Sequence, residues 1–261
     1  MPAPHNVKIT IDTAAQTLTT EDGSDRRTQG LYTKESFELL SREWLRVGWS
    51  LRQYFTFSWF GRPVVQLPED LIRLQEVIYR IKPDVIIETG IYRGGSLMFL
   101  AAVCKAAERG RVIGIDVKIP GEERGLMESH ELAPLITLIE GDSVSADVVQ
   151  QVAGRISGGE TVLVILDSAH TKAHVLAELE QYSPLVTAGS YIVVTDGFMK
   201  DLAGVPGGEP EWAIDNPAAA ADEFAASHPE FEAGQPSWLF HDSELTENVT
   251  YWPRGWLRKA G

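Results

Sequence analysis

A single cysteine, Cys104, sits in an apolar helical setting, so no disulfide framework holds this chain together. No apolar run approaches the ~20 residues that a membrane-spanning helix needs. The first residues, Met1-Pro2-Ala3-Pro4-His5-Asn6, lack the charged-then-apolar pattern of a secretory leader. Positive charge is scarce: 23 Lys and Arg stand against 37 Asp and Glu, a formal net charge of -14. A diffuse acidic balance without a basic tract argues against nucleic acid or an anionic membrane as the partner. No internal repeat and no linker divides the sequence. These absences leave a cytoplasmic globular protein as the expectation.

What is present is material for a large core. Hydrophobic residues make up 44% of 261 residues, which suits one α/β domain spanning the whole chain, 1–261, better than two small ones. Residues 1–67 read as an N-terminal arm and helix. Val7–Asp12 alternates like a strand, with Thr17–Thr20 a candidate partner, Glu21–Asp25 a loop, and Lys34–Leu51 a helix with Phe37, Leu40, Trp44, Leu45 and Trp49 apolar. An aromatic segment, Tyr54–Phe60, follows. Proline and two acids predict a helix from Pro68 to about Ile81. From there short apolar strands alternate with helices: strands at Val85–Glu88, Arg111–Asp116, Ile136–Glu140, Thr161–Asp167 and Gly189–Asp196, and helices at Gly95–Arg109, Gly121–Leu132, Val144–Ile156, Thr171–Tyr182 and Ala218–His228. Apolar strands separated by helices predict a doubly wound, mostly parallel sheet with helices on both faces, preceded by the N-terminal helical extension. Trp238–Phe240 and Val249–Trp252 read as antiparallel additions at the sheet edge.

In such a sheet ligands bind outside the carboxyl ends of the strands. Those ends here carry Glu88, Asp116, Asp142, Asp167 and Asp196. The turn Glu88-Thr89-Gly90, with Gly94-Gly95, resembles the nucleotide loop of S-adenosylmethionine-dependent methyltransferases. A nicotinamide-binding turn more often has Gly-x-Gly-x-x-Gly. Asp116, one crossover on, stands where a carboxylate holds both hydroxyls of a ribose. Asp142 and Ser143 end the third strand, where contacts to adenine are made. In Asp167-Ser168-Ala169-His170, a carboxylate and an imidazole are placed to hold a divalent metal and to take a proton from a hydroxyl, with Asp196 a second ligand. Oxygen ligands favour Mg²⁺ over Zn²⁺.

With these runs in hand, the chain resembles the cephalosporin hydroxylase family. The resemblance rests on Trp59-Phe60-Gly61-Arg62-Pro63, Pro68-Glu69-Asp70-Leu71, Gln75-Glu76, Pro83-Asp84, Ile87-Glu88-Thr89-Gly90, Gly94-Gly95-Ser96, Gly114-Ile115-Asp116, Gly141-Asp142-Ser143, Asp167-Ser168-Ala169-His170 with His174-Val175, and Pro253-Arg254-Gly255-Trp256-Leu257. It covers most of the chain from about Phe55. It implies a Rossmann-like class I methyltransferase fold, a homo-oligomer, and methyl transfer from S-adenosylmethionine to a hydroxyl of a rhamnose-like sugar or other small natural product of an antibiotic pathway. It also implies roles: Glu88, Thr89, Gly90, Arg93, Gly95, Ser96, Asp116, Asp142, Ser143 and Asp167 as donor contacts, Asp167, Thr195 and Asp196 as Mg²⁺ ligands, and Asp167 and His170 as catalytic residues, His170 the general base. The family usually has Glu-Asp where this chain has Thr195-Asp196, and a threonine ligates more weakly than an acid.

Two other readings stay open at this level. A metal-dependent hydroxylase using Fe²⁺ and a 2-oxo acid wants two histidines and a carboxylate, a count that Asp167, His170 and His174 meet. A binding protein that has lost the chemistry has only Thr195 in its favour. Substrate walls are expected from Tyr54–Phe60, from the loop Phe198–Trp212, whose Gly204–Pro210 stretch suits a lid, and from His241 onwards.

Overall fold

The computed structural model describes residues 7–261; the first six residues of the expected arm lie outside the described residues. Strands β1 (Lys8–Asp12), β2 (Thr17–Asp22) and β3 (Asp25–Gly30) form an antiparallel meander. The expected loop at Glu21–Asp25 is instead a two-residue turn at Gly23-Ser24, and β3 is an additional strand. It carries no apolar residue, so alternation offers no sign of it. Cross-strand pairs hold it: Thr19 and Thr28 share a hydroxyl hydrogen bond of 2.9 Å, and Glu21 faces Arg26. Helix α1 (Lys34–Ser50) starts at Thr33, whose hydroxyl accepts from the Ser36 amide. Its predicted apolar face is only partly covered. Leu45 is buried and Trp49 packs on the core, but Phe37 and Trp44 remain 43% exposed.

The short hairpin β4 (Ser58–Trp59) and β5 (Arg62–Pro63) leads into α2 (Pro68–Ile81), β6 (Val85–Thr89) and α3 (Gly95–Ala106). Then come β7 (Arg111–Asp116), α4 (Gly121–Glu128), β8 (Ile136–Glu140), α5 (Ala146–Ala153), β9 (Val162–Leu166), α6 (Lys172–Tyr182), β10 (Tyr191–Val194), α7 (Pro217–Ser227), β11 (Phe231–Ala233) and β12 (Trp256–Lys259). The main sheet has the order β11-β12-β10-β9-β6-β7-β8. Its five central and right-hand strands, β10 to β8, run parallel. Alternation along each strand feeds two cores. Ile86, Val112, Leu163 and Val193 meet α2 and α3 on one face. Val85, Ile87, Ile113, Val164 and Ile192 meet α5, α6 and α7 on the other. Among the described residues no helix is long and apolar enough to cross a membrane.

The predicted edge additions are corrected. Trp238–Phe240 and Val249–Trp252 are not strands; β11 and β12 take the antiparallel edge places. The reason lies in Asp70, on the first turn of α2. Its carboxylate accepts the Tyr251 amide at 2.9 Å and the Thr250 hydroxyl. The ladder positions of this segment are thereby replaced by side-chain partners, and Tyr251 and Trp252 turn into the core.

Burial pushes the Asp70 carboxyl up to about 8. A folded-state pKa above the unfolded one means the fold holds the proton more tightly. Its contribution to stability is complete below the unfolded value near 4 and is lost as pH rises through about 8. Glu88 carries the same sign. Asp70→Asn, which keeps an acceptor for the Tyr251 amide, is therefore expected to flatten the fall in stability between pH 5 and 8.5. At the alkaline end it should stabilise by a few kcal/mol at most, on the order set by the shift. Urea midpoints at the two pH values measure this; an unchanged slope would remove Asp70 as its source.

Candidate active site

The register places the strand ends level. Thr89 pairs with Ile115 on one side and Leu166 on the other. Gly90, Asp116 and Asp167 therefore leave the sheet side by side. Backbone bonds carry the ladder one step further, from the Gly90 amide to Ile115 (2.8 Å), the Asp167 amide to Thr89 (2.9 Å) and the Thr195 amide to Leu166 (3.1 Å). The strand order reverses at β6, which makes this the place where an open α/β sheet forms its crevice.

The glycine turn is held from outside and inside. Asp116 Oδ2 accepts the Ile91 and Tyr92 amides at 3.1 and 3.2 Å, and Oδ1 accepts the Lys118 amide. Gly90 has φ +77°, and a Cβ there would lie 2.0 Å from the Asp167 carbonyl oxygen. At Gly95 the close approach is to the chain itself: a Cβ would lie 1.9 Å from the Pro63 carbonyl oxygen. The hairpin that supplies Pro63 is fixed by Arg62, which donates to the Arg93 carbonyl through Nε and Nη2 and pairs with Glu123.

The residues expected on the donor side differ in how far they reach the surface. The side chains of Glu88 and Thr89 are inside, at 2% and 0% exposure. Glu88 lies under α3 with Ser96 as its hydrogen-bond partner, and burial raises its carboxyl to about 8. Strand alternation explains this, since position 88 follows Ile86 onto the α3 face. Gly95 and Ser96 are covered by the Arg62–Val64 stretch and by Glu88 respectively, so their part is to shape the turn. Arg93 is exposed and pairs with Glu123 at 3.5 Å. Asp142 is exposed and accepts the Val144 amide. The Ser143 hydroxyl lies 3.2 Å from His174 Nε2.

At the ends of β9 and β10 the structure brings Asp167, His170 and Asp196 together, each offering one atom within 4.8 Å of the others. His170 Nε2 stands 3.6 Å from Asp196 Oδ2. Burial raises the Asp167 carboxyl well above the usual range, and the Asp196 charge adds to this; burial raises Asp196 as well. Among the described residues no Lys or Arg pairs with either acid. The Thr195 hydroxyl, fully buried, is occupied by the Leu166 carbonyl at 3.0 Å and by Asp167 Oδ1. Its one proton serves two acceptors, so Thr195 is committed to the sheet end. The third member of the cluster is His170, and Thr195 stands beside it, bonded to Asp167.

His174 faces Ser143 and Glu178, 3.2 and 3.5 Å away, and is no part of that cluster. The two-histidine iron site of the hydroxylase reading thus loses its second histidine. Gln66, absent from the expected set, donates to Asp167 Oδ2 at 2.7 Å and is 5% exposed. Its one sequence signal is that it interrupts the apolar run Val64-Val65-Gln66-Leu67.

Aromatic rings stand beside the acids. Tyr54 packs on Trp49 at 5.0 Å and on Phe55 at 4.9 Å; Trp49 meets Trp212 and Phe55 meets Tyr92, each at 6.3 Å. The Tyr54 hydroxyl is pushed up by burial and then by the charge of Asp196. The Gly204–Pro210 stretch is a run of tight turns, with Val205 bonded to Leu202, Gly208 to Val205, and the Val205 side chain on the core. The stretch from His241 lies elsewhere, over Ile72 and Arg73 of α2.

The family description "Rhamnosyl O-methyltransferase/CmcI" matches residues 52–260. A rhamnosyl O-methyltransferase of Mycobacterium leprae is 30% identical over 144 residues, 54% of this chain and 60% of that one. The protein of that name from Mycobacterium bovis is 29% identical over 197 residues, 72% of each chain. The match spans less than two thirds of the M. leprae protein's length. A structure of CmcI solved with Mg and SAM superposes with a TM-score of 0.52 at 19% identity, over 79% of this chain and 78% of that one, a likeness of fold. The match to the family description covers most of the residues from which the sheet, the glycine turn and the acid–histidine cluster are built. The chain is a member of the rhamnosyl O-methyltransferase/CmcI family.

Proposed function

We propose that this protein transfers a methyl group from S-adenosylmethionine to a hydroxyl of a rhamnose-like sugar on a small natural product, with Mg²⁺ at the strand ends. The observation that carries the reading is the meeting of Asp167, Asp196 and His170 across from a turn whose amides Asp116 holds. The donor set fits a hard cation: two half-buried carboxylates repel each other and lack a cationic side-chain partner other than His170. Asp167 and Asp196 would hold the ion. Bound Mg²⁺ supplies positive charge that lowers the pKa of a hydroxyl oxygen beside it.

The sulfonium supplies an activated methyl group. What the chain adds is alignment and removal of a proton. Gly90, Tyr92, Asp116, Asp142 and Ser143 form the donor side. Trp49, Tyr54, Phe55, Tyr92 and Trp212 form an apolar wall for the acceptor, faces on which a sugar ring stacks. In the reaction the acceptor O–H bond breaks, an O–CH₃ bond forms, and the S–CH₃ bond breaks to leave a thioether. The proton passes to His170 Nε2. Asp196 Oδ2, 3.6 Å away, then faces the imidazolium and stabilises it. Gln66 and Thr195 hold the Asp167 carboxylate in one orientation meanwhile.

Calorimetry with S-adenosylmethionine tests the donor side, and p-nitrophenyl α-L-rhamnopyranoside serves as an acceptor probe followed by mass spectrometry. Saturable donor binding and a mass gain of one methylene are expected, with turnover lost on chelation and restored by Mg²⁺. Mg²⁺ alone should raise the thermal midpoint, because it binds only the folded arrangement of Asp167 and Asp196. A chain that binds no S-adenosylmethionine with or without Mg²⁺ would overturn the reading.

A further inference from the structure

Helix α6 buries Val175, Glu178, Leu179 and Tyr182. The spacing is that of a core-facing stripe, and one member is a carboxylic acid with 0% exposure. A buried carboxylate is costly unless its oxygens are bonded. Glu178 Oε1 accepts the Ser168 hydroxyl at 2.7 Å and lies 3.5 Å from His174 Nε2. Its Oε2 accepts no hydrogen bond from any described residue. Stability alone does not account for this acid, since an apolar side chain of the same length would leave no oxygen unmet.

Its contacts reach two separate loops. Ser168 lies between Asp167 and His170, after β9. His174 Nε2 also stands 3.2 Å from the Ser143 hydroxyl, after β8, and Tyr182 donates to the Ser143 carbonyl at 2.8 Å. Strands β9 and β8 are not neighbours; β6 and β7 separate them in the sheet. Glu178 is thus the shared partner of Ser168 and His174, and through them it ties one strand-end loop to another across two intervening strands. The bond to Glu178 raises the His174 imidazole, which keeps a proton available for this contact.

We infer that Glu178 is a positioning residue, a buried clamp that sets the loop of Asp167 and His170 against the loop of Asp142 and Ser143, and so sets the proton-accepting side against the donor side. The assignment of the two sides rests on the function proposed above; the clamp itself rests on the contacts. Gln66 supports Asp167 alone, and among the described residues no other side chain is hydrogen-bonded so as to lead to both loops.

Glu178→Met and Glu178→Gln test it, read by amide hydrogen exchange and by calorimetry with S-adenosylmethionine. Loss of a hydrogen bond of ~1.4 kcal/mol at each arm should raise exchange about tenfold at residues 142–145 and 167–170 together in Glu178→Met. The donor Kd should rise about tenfold, as for lost supporting contacts elsewhere. Glu178→Gln, which still accepts from Ser168, should return both to within about threefold of the wild type, a rescue that a volume-filling role would not need. Wild-type exchange at either loop in Glu178→Met, or Glu178→Gln no better than Glu178→Met, overturns the clamp. Should Glu178→Met fail to fold, Ser168→Ala decides: faster exchange at 167–170 with 142–145 unchanged supports the clamp, and unchanged exchange at 167–170 overturns it. The exchange comparison needs no ligand. A wild type that binds no S-adenosylmethionine would therefore remove the function and still leave the clamp to be judged.

Discussion

His170→Ala is expected to lower methyl transfer to the rhamnoside probe by about two to four orders of magnitude, the usual yield of a positioned general base. Donor affinity should stay within about threefold, because the imidazole faces Asp196 at 3.6 Å and not the glycine turn. The loss should shrink as pH rises, since hydroxide in solvent takes over a proton that His170 no longer accepts. His170→Ala with unchanged single-turnover rate would move the base elsewhere, and Tyr54, whose hydroxyl is pushed up partly by the Asp196 charge, would be the residue to examine. Loss of donor binding in the same variant would place His170 on the donor side instead.

Gly90→Ala should be among the most damaging single methyl groups in the chain. The added Cβ meets Asp167 O at 2.0 Å, Ser168 Cα at 2.5 Å, and a backbone φ of +77° that an L side chain rarely adopts. Nothing flexible is there to yield; both neighbours are backbone of the loop that carries His170. A destabilisation of about 2–4 kcal/mol is expected from strain and overpacking together. At temperatures where the variant still folds, donor binding and turnover should both fail, because the turn and the Asp167 loop are pushed apart. Gly125→Ala is the control. Its Cβ meets nothing within 4 Å inside α4, so a gain of about 0.5–1 kcal/mol is expected there. Denaturant melts of the two variants compare these outcomes; equal stability would show that the turn yields.

The parallel sheet was legible because its strands are apolar on both faces and its helices are punctuated by Pro68, Pro83 and the Thr171 cap. The strand-end acids followed from the same pattern, and Asp116, Asp167 and Asp196 lie where strand ends place them. What period and composition do not encode is what a side chain meets from far along the chain. Strand β3 is polar and is specified by its partner's charges. Val249–Trp252 has the composition of a strand, but Asp70, some 180 residues earlier, takes the Tyr251 amide and the Thr250 hydroxyl. Glu88 looks like a ligand contact until strand alternation is followed through Ile86 to the α3 face. Thr195 reads as a weakened metal ligand, and it is the hydroxyl that fixes Asp167. Gln66 and Glu178 were hidden for the opposite reason: each is a polar residue in an apolar pattern, a signal read too easily as noise.

Strand β12 has a consequence for the order in which this molecule is completed. It lies between β10 and β11, and Tyr251 and Trp252 just before it enter the core beneath the aromatic wall, with Tyr251 5.2 Å from Trp49 and 6.0 Å from Tyr54. A ribosome releases the β6–β10 ladder, the glycine turn and the Asp167–His170 loop long before residue 259 leaves the tunnel. Until then β10 has a bare flank, and Tyr54 has Trp49 and Phe55 beside it but lacks the edge contact of Tyr251. The nascent chain can assemble the β6–β10 ladder early, whereas the ring cluster around Tyr54 is completed only when Tyr251 joins it.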